Sequence, residues 1–190
     1  MKHWRIPLLL FILFSTLSTA ICGQRQTLIG IDGMIELADR ELHPGIGVLI
    51  ERRLTKHSGF ESGLFFKNYN IDNTVTIVTG TGISTIRLQA AEHYLSIPLL
   101  YKFYTRIVNV SAGPTFDYYV GFRQKHKSPS FTINNYSISP KLSWGALLKV
   151  SKSFSVNKKL LLEPALRLNP NFSYKRTLAG VELAAKYKLD

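Results

Sequence analysis

Two residues in the segment RQKHKSPS, His126 and Ser128, have the types and spacing of a nucleophile and its base. In extended backbone, residues two apart project from the same side, so the imidazole could accept the hydroxyl proton while the oxygen attacks an ester. Such a pair needs a third group to orient the imidazole, and Glu92 is the candidate. The competing reading of the segment is a solvated basic loop, because Lys125, Lys127 and Pro129 crowd the pair. Arg123, Lys125 and Lys127 then form a cationic strip suited to phosphate oxygens. The glycine-rich TGTGIST at 79–85 lacks the Gly-Lys-Ser/Thr of a phosphate-binding loop and opens no helix, so it reads as a loop tip. His43, His57, His93 and His126 form no ligand-spaced set with Glu or Cys, and neither a metal nor a cofactor is expected.

The frame that carries these residues begins with MKHWRIPLLLFILFSTLSTAICGQ. Lys2 and Arg5 precede an apolar run from Ile6 to Phe14, then small residues near Ala20 to Gly23, in the charge, length and order of a secretory signal peptide. The run is too short to cross a bilayer as a helix, which takes about 20 apolar residues. Removing residues 1–23 leaves 24–190, one domain's worth of chain. It also removes Cys22, the only cysteine, so no disulfide is expected. Cys22 is alternatively a lipid attachment point, although Ile21 is bulky where such a signal favours a small residue. The formal net charge of +12 falls by two with Lys2 and Arg5. An exported basic chain points to lipid phosphates and not to nucleic acid. With no further apolar run of helical spanning length, passage through a membrane would require a closed β-barrel.

Period-two segments recur at 27–37, 43–53, 59–69, 92–104, 106–122, 137–151, 158–170 and 177–189. Eight is an even count, as single-chain bacterial barrels have. In YLSIPLLYKFY, Leu95, Ile97, Leu99, Tyr101 and Phe103 oppose Tyr94, Ser96, Pro98, Leu100, Lys102 and Tyr104. In the fifth segment Val108, Val110, Ala112, Pro114, Phe116, Tyr118, Val120 and Phe122 carry no charge and oppose Asn109, Ser111, Thr115, Asp117 and Tyr119. The polar sets gather Asp32, Glu36, Glu51, Glu61, Asp117, Glu163 and Glu182 with Lys67, Lys102, Lys141, Lys149, Arg167 and Lys186. Alternation alone does not say which face is inside. A charge in lipid costs roughly 2–4 kcal/mol near mid-bilayer, so an uncharged aliphatic set fits the outside of a membrane barrel. Small residues and balanced charges fit an eight-stranded interior with room for side chains and little else.

Connections and aromatics agree. Short turns at 54–58, 105 and 155–158 alternate with longer loops at 70–91 and 123–136, the asymmetry of outer-membrane barrels. Tyr101 and Phe103 at one strand end, and Phe116, Tyr118 and Phe122 at the other, predict two interfacial belts. Pro98, Pro114, Pro140 and Pro164 fall within strands, where each removes a ladder donor, so bulges are expected beside them, first at Ala112–Pro114.

YLSIPLLYKFY followed by VNVSAGPTFDYYVGF resembles the PorT-like outer-membrane β-barrel family of Bacteroidota, in which a Tyr-Leu-x-x-Pro-Leu-Leu-x-Lys strand precedes an Ala-Gly-Pro strand. The resemblance is looser over PGIGVLIERRL and GFESGLFFKN. It implies an eight-stranded barrel freed of its signal peptide; one branch of that family is linked to protein secretion, and nothing in these loops selects that branch. Many such barrels close on a terminal aromatic, whereas this sequence ends AKYKLD. His126 and Ser128 likewise resemble the His-x-Ser pair of lipid A deacylase barrels. The expected fold is therefore all-β, an eight-stranded antiparallel up-and-down transmembrane barrel with a filled interior. The expected role is structural, or as part of an envelope assembly, in a Gram-negative outer membrane. Arg123, Lys125 and Lys127 are the expected contacts to lipopolysaccharide phosphates, and envelope proteins the expected partners. A soluble periplasmic lipocalin-like barrel, with the aliphatic faces inside around an apolar ligand, is the alternative, and a lipid A deacylase-like enzyme the third reading.

Overall fold

The computed structural model describes residues 26–38, 41–79, 82–124 and 139–189, with the backbone alone at 72–79 and 82–89. The leader, Cys22 and the segment holding Lys125, His126, Lys127 and Ser128 lie outside the described residues.

Every element is a strand: β1 (Gln26–Ala38), β2 (Glu41–Arg53), β3 (Ser58–Thr79), β4 (Gly82–Tyr104), β5 (Asn109–Gln124), β6 (Leu142–Ser151), β7 (Phe154–Ser155), β8 (Leu160–Asn171) and β9 (Arg176–Leu189). The two-residue β7 is a stub in the turn between β6 and β8, leaving eight strands in the wall. Each pairs antiparallel with its sequence neighbour, and β6 pairs β8. β9 returns to β1 from Thr27↔Leu189 to Leu37↔Ala179, so the sheet closes on itself. The protein is a closed eight-stranded antiparallel β-barrel.

The two faces resolve without ambiguity. Ile97, Leu99, Tyr101 and Phe103 are exposed while Ser96, Leu100, Lys102 and Tyr104 are buried. Ile31, Ile46 and Leu166 are each 65% exposed, whereas Lys102 and Lys186 are 0% exposed. Aliphatics outside and ammonium groups inside invert the partition a water-soluble barrel requires, which removes the lipocalin-like reading. Exposed aromatics gather near both ends: Phe60, Tyr101, Phe103, Phe154 and Tyr187 at the end carrying the termini, and Phe66, Phe116, Tyr118, Trp144 and Phe172 at the other. Phe60 meets Tyr101 edge-on at 5.4 Å, and Trp144 meets Phe172 at 4.9 Å.

Turns at the terminal end share one device, a side-chain oxygen that takes the amides the ladder leaves unpaired. Thr55 Oγ1 accepts from the amides of His57 and Ser58 at 3.1 and 3.0 Å. Thr105 Oγ1 accepts from Ile107 and Val108 at 3.3 and 3.1 Å. Asn157 Oδ1 accepts from Lys159 and Leu160 at 2.8 and 2.7 Å.

Three expectations need correction. The segment 70–91 is not a loop: β3 and β4 stay in register from Asn70↔Ala91 to Thr79↔Gly82. From Asp72↔Gln89 outward they pair only with each other, so eight residues of each strand overhang the wall, a reach of roughly 26 Å at about 3.3 Å per residue. Second, the prolines bring no register shift. The β4–β5 register is the same on both sides of Gly113 and Pro114, and the shift falls between His93 and Tyr94. A strand residue offers its amide to one neighbour only, so proline on that side drops a bond without moving the register. Gly113 lets the β4 backbone close in instead, since a Cβ there would strike the Leu99 carbonyl oxygen. Third, Lys141 is exposed ahead of β6 and does not join the interior charges.

Candidate functional site

Pairing and pleat together aim charges into the lumen as a connected column. Near the terminal end Glu51 and Glu61 are direct cross-strand partners, a like-charge juxtaposition that repels unless cations intervene. They do. Lys102 Nζ lies 2.9 Å from Glu51, 3.3 Å from Glu61 and 2.5 Å from Glu163. Lys186 Nζ lies 2.7, 2.8 and 2.9 Å from the same three carboxylates. Tyr104 donates to Glu51 at 2.7 Å, and Ser151 and Ser153 donate to Glu163 at 3.1 and 2.6 Å.

Lys149 carries the column upward, contacting Glu61 at 2.6 Å and also Glu182. Lys149 and Arg167 are themselves cross-strand partners. Their repulsion is offset by Glu182, 2.7 Å from Arg167, and by Glu36, 2.9 Å from it. Lys67 then joins Glu36 at 3.8 Å and Asp117 at 3.6 Å. All of these charged side chains are at least 95% buried, so the lumen is filled with counter-ions of its own making.

Aromatic rings close both ends. Tyr69 and Tyr94 pack edge-on at 5.0 Å, Tyr94 and Tyr119 at 5.6 Å, with Ala38 and Leu178 beside them. The Arg176 guanidinium lies 4.7 Å above the Tyr69 ring. At the terminal end the Arg53 guanidinium lies 4.6 Å from the Tyr104 ring.

Glu51, Glu61 and Glu163 each bring an oxygen within 4.8 Å of the others, a spacing that would suit a divalent cation. Lys102 and Lys186 already hold the centre of that triad, so its chemistry is that of an ion cluster satisfied by two ammonium groups.

Of the residues singled out from sequence, Arg123 is exposed on β5 opposite Ala91. With His93, Asn68 and Asn70 it lines a groove of about 430 Å³ on the barrel's flank at the hairpin end. Glu92, the candidate orienting acid, faces the lumen at 4% exposure and accepts from the Tyr94 hydroxyl at 2.7 Å. It is thus an eighth buried acid beside the seven read from the alternation. The inward tyrosines went unread as lids, although Tyr94 and Tyr104 share the phase of Lys102. What the pattern could not supply is which charge meets which, because contacts such as Lys186–Glu61 cross the lumen.

A closed barrel with aliphatic residues and aromatic belts outside and an ion-paired column inside is a membrane-spanning β-barrel of the outer-membrane class. The chain belongs to the outer membrane protein beta-barrel domain family, whose model matches residues 41–179, and the protein resides in the outer membrane. Among curated protein sequences, none matches it. The structure is similar to that of the outer membrane protein OprG from Pseudomonas aeruginosa, with TM-score 0.59 and 12% identity, covering 90% of this chain and 99% of that one. It is also similar to Neisserial surface protein A, NspA, with TM-score 0.50 and 9% identity, covering 87% and 97%. At such identities the likeness is one of fold.

Proposed function

We propose that this protein is a non-enzymatic, non-conducting component of the outer membrane that works through its surfaces, as a structural element or as part of an envelope assembly. The observation that carries the reading is the filled lumen. A solute would have to part the cluster of Lys102, Lys186, Glu51, Glu61 and Glu163, leaving buried charges unpaired at several kcal/mol each. With no path through the wall, contact falls to what projects from it, and the β3–β4 overhang projects furthest among the described residues.

The short turns and both termini face the periplasm, and the hairpin faces outward, following the loop asymmetry of such barrels. Residues 1–23 are the signal peptide that delivers the chain. The motifs in YLSIPLLYKFY and VNVSAGPTFDYYVGF support a place among PorT-like barrels of Bacteroidota. Arg123, Lys125 and Lys127 hold lipopolysaccharide phosphates of the outer leaflet by weak, salt-sensitive contacts; the groove beside Arg123 gives room for headgroup sugars.

Liposome swelling tests the central claim. Vesicles containing the barrel should swell in small sugars no faster than protein-free vesicles, and swelling at porin-like rates would overturn it. A photo-crosslinking residue at Thr76 should give discrete protein adducts in cells, against none from the same residue at Leu166 on the lipid face. Triple alanine substitution at Arg123, Lys125 and Lys127 should lower lipopolysaccharide association at low salt, and unchanged association would remove those contacts.

A further inference from the structure

The outer wall is not smooth. Across β9, β1, β2 and β3, in the half nearer the termini, lies an open apolar groove of about 610 Å³ lined by Ile31, Val48, Ile50, Leu64, Ala185 and Tyr187 among others. It exists because Ala185, the direct partner of Ile31, places a methyl group where the neighbouring outward positions carry Leu183 and Tyr187. Glycines at 30 and 63, both lining the groove, thin the wall behind it.

The rim at that end carries charge of one sign. Arg52, Lys56, Arg106, Lys152, Lys158 and Lys159 are exposed, and Arg53 and Lys188 partly so. The described acids of the same end, Glu51, Glu61 and Glu163, are all buried in the lumen; Glu51 pairs with Arg53 of the rim at 3.4 Å, and the rim keeps an excess of exposed cations. Groove and rim meet. Lys159 Nζ lies 5.9 Å from the ring of Tyr187, which lines the groove. Arg52 follows Ile50 by two residues on the same outward phase, level with Thr27 and Phe60. Cations thus stand at the groove's mouth on both flanks.

We infer that this groove and rim form a binding site for an anionic glycerophospholipid of the inner leaflet. An acyl chain lies against Ile31, Val48, Leu64 and Ala185, and the phosphate is held by Arg52, Lys158 and Lys159. An apolar slot of about 610 Å³, capped by cations at headgroup depth, matches a lipid of that charge and disfavours a neutral one. The inference rests on the periplasmic orientation of the terminal end proposed above.

Barrel extracted from outer membranes into dodecylmaltoside micelles would be supplied with equal dioleoylphosphatidylglycerol and dioleoylphosphatidylcholine, and bound lipid counted by native mass spectrometry. Phosphatidylglycerol adducts should exceed phosphatidylcholine adducts on the order of tenfold, three surface cations being sufficient for that. The variant Arg52→Gln, Lys158→Gln, Lys159→Gln should bring the ratio close to one. Ala185→Trp, which fills the groove and leaves the rim intact, should lower both adducts while keeping the preference. Equal adducts on the unaltered protein, or a preference that survives the triple variant, would overturn the site. Folding of each variant is read from its mobility shift on boiling. Orientation is read separately, by labelling Lys56→Cys on intact cells with a membrane-impermeant maleimide: labelling from outside would overturn the inner-leaflet assignment through the orientation, whatever the lipid ratio.

Discussion

Lys102 illustrates what a buried cation does in this barrel. Its ammonium is fully buried among Glu51, Glu61 and Glu163 and shares them with Lys186. Removing one partner of a buried ion cluster leaves its counter-charges in a low-dielectric interior, a loss of about 3–5 kcal/mol, whereas removing charge of both signs is far milder. Lys102→Met should therefore cost roughly that much in urea unfolding of the barrel refolded into phosphatidylcholine vesicles, and adding Glu163→Gln should restore part of it. A loss no larger than the ~1 kcal/mol of a surface pair would mean that water reaches the cluster and that the lumen is not sealed. Lys102, Glu61 and Glu163 were assignable to the interior from sequence because each alternates with aliphatic neighbours; their convergence on one point was not, since it depends on how far the strands shear around the barrel.

At the scale of elements, the strands of the wall were legible and the overhang was not, for one physical reason. Wall residues answer to two solvents, lipid on one side and a crowded lumen on the other, so they alternate strictly, as in Asn109–Val120. Beyond residue 71 neither constraint applies, and the run reads as turn-like because of Asp72, Asn73 and the glycines at 80 and 82. Its β-branched content, with Val75, Ile77, Val78, Ile83 and Ile86, was the available signal for strands. This division predicts different sensitivities. Leu166 is 65% exposed in the middle of β8, so Leu166→Arg should cost about 2–4 kcal/mol in vesicles and reduce insertion. Replacing 72–89 with Asn-Gly, a two-residue hairpin turn, removes backbone that pairs only with itself. That variant should keep its mobility shift on boiling. A shortened barrel that no longer folds would place the hairpin in the folding unit.

Considered whole, the barrel is a ring whose chain order has no structural privilege. Every strand pairs with its neighbours in the same antiparallel way, and the seam between β1 and β9 is one more such pair, eleven residues long from Thr27↔Leu189 to Leu37↔Ala179. The two chain ends therefore lie side by side at the end where the tight turns are. If closure and the lumenal column hold the fold, it should not matter where the ring is cut. A circular permutant joining residue 189 to residue 26 through a short Gly/Ser linker, and opened between Arg106 and Ile107 in the exposed turn after β4, retains every wall pair and every lumenal ion contact. Exposed turn tips are where such changes are tolerated. Refolded into vesicles, the permutant should show the same boiling-dependent mobility shift and resist urea almost as well as the parent. A permutant that collapses without closing would show that β1 and β9 must meet last, and that the seam, unlike the other seven pairs, sets the order in which the ring is built.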